Sequence, residues 1–179
     1  MLTQTALDLD GVIFDYEKTF QKEAVKIGFK VSIKHPEIYN MAVRYEITQE
    51  QVSLINSRID FSDMEVFDEV LNLKHYIKDI KCFITSSPIE ILHLRKANLL
   101  KIFSKDIPVY YAETKEKHRI ISELGIKYFI DDYNAVIHNI VLNCPKCNAY
   151  WLNRGYGDFS LPEPKNKINS LAEFFKINY

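Results

Sequence analysis

Five short apolar runs constrain what this chain can fold into. Thr5–Leu9, Lys81–Thr85, Ile107–Tyr111, Ile126–Ile130 and Ala149–Leu152 are too short for helices and rich in β-branched or aromatic residues. They read as buried strands. Pro108 places the third towards a sheet edge, because proline cannot donate to a ladder. Helical patterns lie between the runs: Ile89, Leu92, Leu94 and Ala97 on one face; Ile120, Ile121 and Leu124 before Gly125; then Val136, Ile137, Ile140 and Val141. Leu171, Phe174 and Phe175 mark a last helix. Strand alternating with helix predicts an α/β fold built on a Rossmann-like parallel sheet.

One stretch interrupts the alternation. Residues 16–78 show helical spacing and no convincing strand: Phe20, Ala24, Val25 and Ile27, then Ile47, Val52 and Ile55, then Val66, Phe67, Val70 and Leu71. An insertion there, after the first strand, is expected to be a small helical cap over the strand ends. The expected core is then residues 1–15 and 79–179, with a linker at Leu161–Lys165 before the last helix. A chain of 179 residues suits one domain carrying such an insertion.

Charge and composition narrow the partners. Lysine plus arginine is 23 against 24 acidic residues, a net charge of −1, so no basic field exists to attract a nucleic-acid polymer. No apolar run approaches the roughly 20 residues of a membrane span, and the first ten residues lack a basic leader. Three cysteines make an odd, sparse set that fits a reducing compartment, so a cytoplasmic location is expected. Oligomeric state is open.

Parallel sheets bind ligands outside the carboxyl ends of their strands. The runs above bring Asp8 and Asp10, Thr85 and Ser86, and Asp131 and Asp132 to those ends, with Lys115 and Lys117 where the preceding helix begins. Carboxylates gathered in one cleft repel each other unless a divalent cation neutralises them. Oxygen ligands of this hardness point to Mg²⁺. A hydroxyl, a lysine and helix N-termini supply what a phosphate dianion needs. The set suits metal-assisted phosphoryl transfer to a carboxylate.

The order of these residues resembles the haloacid dehalogenase (HAD) superfamily. Ala6-Leu7-Asp8-Leu9-Asp10-Gly11-Val12 is similar to its first motif and Phe83-Ile84-Thr85-Ser86-Ser87-Pro88 to its second. Lys117, seven residues before Leu124-Gly125, resembles the third-motif lysine, with Lys115 as its rival, and Tyr128-Phe129-Ile130-Asp131-Asp132 resembles the fourth. The resemblance implies Asp8 as nucleophile and Asp10 as general acid and base, its backbone carbonyl on the metal. It also implies Thr85 or Ser86 with Lys117 on the phosphate, and a metal shell of Asp8, Asp10, Asp131 and Asp132. Gly11 would permit the tight turn that follows. The opening through Asp15-Tyr16-Glu17, Ser87-Pro88-Ile89, and Asn169 to Phe174 further resemble the 5'(3')-deoxyribonucleotidase family, which implies a nucleoside monophosphate substrate. A sugar-phosphate phosphatase, a phosphomutase and a silent binding module on the same fold are the alternatives.

Other features are weaker. Cys144-Pro145-Lys146-Cys147 resembles half of a zinc knuckle with His138 as its nearest further ligand, and Cys82 reads as core. Phe14, Tyr16, Phe20, Tyr45 and Phe61 are candidates to stack on a base, and Arg44 and Arg58 to meet polar groups of a substrate.

Overall fold

The alternation of side chains along each strand decides how the layers form. In a computed structural model describing residues 4–178, β1 (Thr5–Leu7) is followed by α1 (Tyr16–Lys26), α2 (Met41–Tyr45), α3 (Gln49–Asn56) and α4 (Asp68–Leu71). The order continues with β2 (Ile80–Thr85), α5 (Leu92–Phe103), β3 (Val109–Tyr111), α6 (Lys117–Glu123), β4 (Tyr128–Asp131) and α7 (Asn134–Asn143). It ends with β5 (Asn148–Leu152), β6 (Lys167–Ile168) and α8 (Leu171–Asn178). Residues 1–3, the start of the expected core segment, and residue 179 lie outside the described residues. The strands form one sheet in the order β3-β2-β1-β4-β5-β6, every pairing parallel.

Odd and even positions of the strands feed two cores. Leu7, Phe83, Ile130 and Leu152 face one side, where Leu99 and Phe103 of α5 and Leu171, Phe174 and Phe175 of α8 cover them. Ala6, Cys82, Ile84, Phe129, Ala149 and Trp151 face the other, packed against Ile121 of α6 and Val136, Ile137 and Ile140 of α7. Period-two alternation therefore gives three layers, helix on sheet on helix. The run that carries Pro108 lies at an edge: β3, which begins just after the proline, is the outermost strand on its side.

The structure departs from the sequence pattern in two places. The tail after Leu161–Lys165 does more than link: Lys167–Ile168 adds a sixth strand beside β5. Two residues carry too little periodicity to register as a strand. In α5 the buried face is Arg95, Asn98, Leu99 and Phe103, while Ile89, just before it, is 62% exposed. Counting apolar residues selects the wrong face because the largest buried side chain here is an arginine.

Between β1 and β2 the segment is helical, and its third cluster is its own. Phe20, Ala24, Tyr45, Val52 and Ile55 pack together, and Thr48 and Gln51 close a reciprocal cap at the start of α3. Arg44 is buried too, its guanidinium donating to Glu17 and to the carbonyls of Pro36 and Ile38. Phe20 and Tyr45 thus hold these helices together, and Phe14 belongs to the main core, so none of the three presents a free face to a base. No helix among the described residues is long and apolar enough to cross a membrane.

Phe174 is fully buried, edge-on to Tyr150 at 5.0 Å and to Phe175 at 5.0 Å. Phe174→Ala is expected to destabilise the fold by about 3–5 kcal/mol, read as a lower denaturant midpoint at unchanged m-value.

Candidate active site

Pairing between the central strands sets the site. The Asp8 amide donates to the Ile130 carbonyl at 2.9 Å, which extends the β1–β4 ladder by one residue and lays Asp8 beside Asp131. Asp8, Asp131 and the following Asp132 are all buried, and one oxygen from each lies within 4.8 Å of the others. Lys117, the first residue of α6, is buried with them. Its Nζ donates to Asp8 Oδ1 at 2.6 Å and to Asp131 Oδ2 at 2.8 Å. Lys115 instead has a side chain 76% exposed, with Nζ 4.0 Å from Glu113. Of the two lysines, only Lys117 reaches the carboxylates.

One ammonium does not balance this charge. Burial pushes the Asp8 carboxyl up to about 7, with Lys117 opposing the shift and Asp131 and Asp10 adding to it. Burial and the Asp131 charge hold Asp132 well above the ordinary carboxylate range. Burial alone would lower Lys117, but Asp131 and Asp8 keep its ammonium form favoured. Both oxygens of Asp131 are occupied, Oδ2 by Lys117 and Oδ1 by the Tyr133 amide at 3.0 Å. Asp132 Oδ2 accepts from the Tyr156 hydroxyl at 2.6 Å, while its Oδ1 is buried with no hydrogen-bond partner. A buried, unpartnered oxygen on a carboxylate grouped with two others is costly unless a cation meets it. An all-oxygen donor set fits a hard divalent ion such as Mg²⁺.

Gly11 makes room for that arrangement. Its φ is +75°, and a Cβ there would fall 1.9 Å from Asp132 Oδ2 and 2.9 Å from the Tyr156 hydroxyl. The glycine therefore serves both a turn and a close approach.

A second group sits opposite. Thr85 is buried at the end of β2, its Oγ1 accepting from the Ser87 amide at 3.1 Å. Ser86 is exposed, and its Oγ accepts from the Thr114 hydroxyl at 3.3 Å. Both hydroxyls line a cleft of about 570 Å³ together with Asp8, Asp10, Lys117 and Asp131. The sequence motifs assign no role to Ser87 or Arg95, yet both touch Asp10. Ser87 Oγ donates to Asp10 Oδ2 at 3.0 Å, and Arg95 Nη2 donates to both carboxylate oxygens. The signal that finds Arg95 is its spacing, four and eight residues before Leu99 and Phe103 on one helical face.

An adjoining cavity of about 860 Å³ shares Asp10, Tyr16 and Tyr39 with the cleft. The Tyr39 ring stacks on Tyr133 at 3.9 Å, and the Gly157 amide donates to the Glu37 carbonyl at 3.0 Å, tying the helical segment to the loop after β5. Tyr16 lines both spaces and Phe61 the smaller one. Arg44 lines the larger but is committed to Glu17, and Arg58 is exposed and lines neither. Cys144 and Cys147 pack in the core: Cys144 Sγ donates to the His118 carbonyl at 3.0 Å, and burial pushes the Cys147 thiol up to about 12. His138 Nε2 pairs with the Pro162 carbonyl at 2.6 Å. Among the described residues, Asp8, Asp131 and Asp132 form the one grouping with metal-ligand spacing.

No protein-family model matches the sequence, and no curated protein does. Solved structures do. A haloacid dehalogenase-like family hydrolase from Streptococcus pneumoniae superposes with a TM-score of 0.61 at 11% identity, covering 99% of this chain and 98% of its own. The HAD-hydrolase YfnB of Bacillus subtilis, bound to magnesium, gives 0.59 at 14% identity over 97% and 96%. A HAD-superfamily hydrolase of subfamily IA from Geobacter sulfurreducens gives 0.57 at 13% over 97% and 94%. The chain has the fold of the haloacid dehalogenase-like hydrolases.

Proposed function

We propose that this chain is a HAD-superfamily phosphomonoester hydrolase that uses Mg²⁺ and an aspartyl-phosphate, with (deoxy)nucleoside 5'-monophosphates as substrates. The observation that carries the reading is the buried Asp8–Lys117–Asp131–Asp132 cluster opening on a cleft lined by Thr85 and Ser86. The magnesium bound to the B. subtilis relative agrees with it.

The residues divide the work. Asp8, Asp131 and Asp132, with the Asp10 carbonyl, would hold Mg²⁺, which when bound offsets the carboxylate and phosphate charges. Lys117 fixes Asp8 through Oδ1 and neutralises charge beside it. Thr85, Ser86 and the Lys117 ammonium receive the phosphate oxygens. Asp8 attacks phosphorus as the bond to the leaving oxygen breaks, and Asp10 gives that oxygen its proton. Asp10 then takes a proton from water, which attacks the same phosphorus. The bond to Asp8 breaks, releasing inorganic phosphate and restoring both carboxylates.

Residues 16–78 act as the cap that reads the leaving group. A space of about 860 Å³ matches a small molecule and not a polymer. Tyr16, Tyr39, Tyr133 and Tyr156 are among the residues that line it, an aromatic wall that suits a planar base.

Three outcomes test the proposal. Asp8→Asn is expected to lower turnover of nucleotides and of a small aryl phosphate by more than about 10³-fold, with circular dichroism unchanged. Retained turnover in that variant contradicts the assignment of the nucleophile.

Asp132→Asn addresses the metal. The folded-state pKa of Asp132 is raised, so its ionised form destabilises the metal-free fold at neutral pH, a penalty that fades as pH falls towards the unfolded value. The variant should therefore melt a few degrees higher than wild type in chelator at about pH 8, gain less at about pH 5, and lose the rise that Mg²⁺ gives wild type. An unchanged Mg²⁺ shift in the variant removes Asp132 from the metal shell.

For the cap, Tyr39→Ala is expected to raise KM for nucleoside monophosphates about tenfold and leave the aryl phosphate nearly unaffected. An equal loss on both substrates would make Tyr39 a support of the fold.

A further inference from the structure

Arg95 is fully buried, where a charge is costly unless it is paired. Asn98, Leu99 and Phe103 share that buried face of α5, and an apolar side chain at position 95 would pack beside Leu99 and Phe103 without the desolvation cost of a guanidinium. Its donors go to the catalytic cleft. Nη2 donates to both oxygens of Asp10, and Nη2 and Nε reach Ser87 Oγ at 2.9 and 3.3 Å. Nη1 meets Met64 Sδ, and the rings of Phe14 and Phe61 each lie 5.0 Å from the guanidinium carbon.

These contacts fix a plane. Two aromatic rings limit the guanidinium's rotation, and the guanidinium grips the Asp10 carboxylate in turn. Ser87 closes the triangle by donating to Asp10 Oδ2 at 3.0 Å. Asp10 itself is only partly buried, so without this grip its side chain is free to swing towards solvent. Arg95 is poorly placed to bind phosphate itself, because its donors are already engaged and its side chain is 1% exposed.

From this geometry we infer that Arg95, with Ser87, is a positioning residue for Asp10, holding the carboxyl where it meets the leaving oxygen and then the attacking water. The inference rests on the reading of Asp10 as general acid and base given above. Phe61 and Met64 come from the helical segment, so the grip is completed by the same insertion that reads the leaving group.

The test compares leaving groups, because a departing alkoxide needs its proton and a nitrophenolate scarcely does. In Arg95→Met, kcat/KM for an alkyl phosphate such as glycerol 2-phosphate is expected to fall about 100-fold, and that for p-nitrophenyl phosphate by less than about 5-fold. The Mg²⁺-dependent rise in melting temperature should persist. Ser87→Ala should move the ratio of the two values in the same direction by a smaller factor, and it decides the matter if Arg95→Met does not fold. An equal fall on both substrates, or none, overturns the positioning role while leaving the phosphatase reading intact. Wild-type protein inactive on both phosphates and on nucleoside monophosphates, or turnover that survives Asp8→Asn, overturns that reading and this inference with it.

Discussion

The contact on which the site depends is the bridge from the Lys117 ammonium to Asp8 and Asp131. It joins the ends of the two central strands to the start of α6 inside the protein, at 2.6 and 2.8 Å. Without it, neighbouring carboxylates would face each other in a medium that cannot screen them. With it, three carboxylates still share one ammonium: burial first, and the neighbouring carboxylates after it, hold the pKa of Asp8 and Asp132 up, and Asp132 Oδ1 is left unpartnered. An imbalance of that kind favours a cation and then an anionic substrate, at a cost in stability of the empty fold.

The sheet explains why these groups meet. Parallel strands bring their carboxyl ends to one edge, and in-register pairing of β1 with β4 makes Asp8 and Asp131 neighbours despite their distance in sequence. Each further contact uses the same edge. Gly11 leaves space for Asp132, Trp151 Nε1 donates to the Asp132 carbonyl at 2.9 Å, and Arg154 Nε donates to the Gly11 carbonyl at 2.8 Å. The loop after β5 thus braces the turn after β1 from behind, while the helical segment covers it from the front.

Much of this was legible in the residues. Short apolar runs ending in carboxylates or hydroxyls predict a parallel sheet with a polar edge, and that sheet forms. What periodicity could not show is the identity of buried polar residues. Arg95 and Arg44 look like surface charges until their acidic partners, Asp10 and Glu17, are seen across the fold. Phe20 and Tyr45 look available to a ligand until they close the core of their own small helical unit. Strand β6 escaped for a different reason: two residues gain strand character only from the partner they pair with.

The central claim is that Asp8 becomes covalently phosphorylated. Its most direct test is to quench the enzyme in acid during turnover of a phosphomonoester, reduce with borohydride, and map the peptides by mass spectrometry. Reduction of an acyl-phosphate converts the aspartate carbon to an alcohol. The account predicts that this change falls on Asp8 in wild-type protein and requires substrate. Reduction at another residue, or steady turnover with no reducible phosphoenzyme, would contradict it.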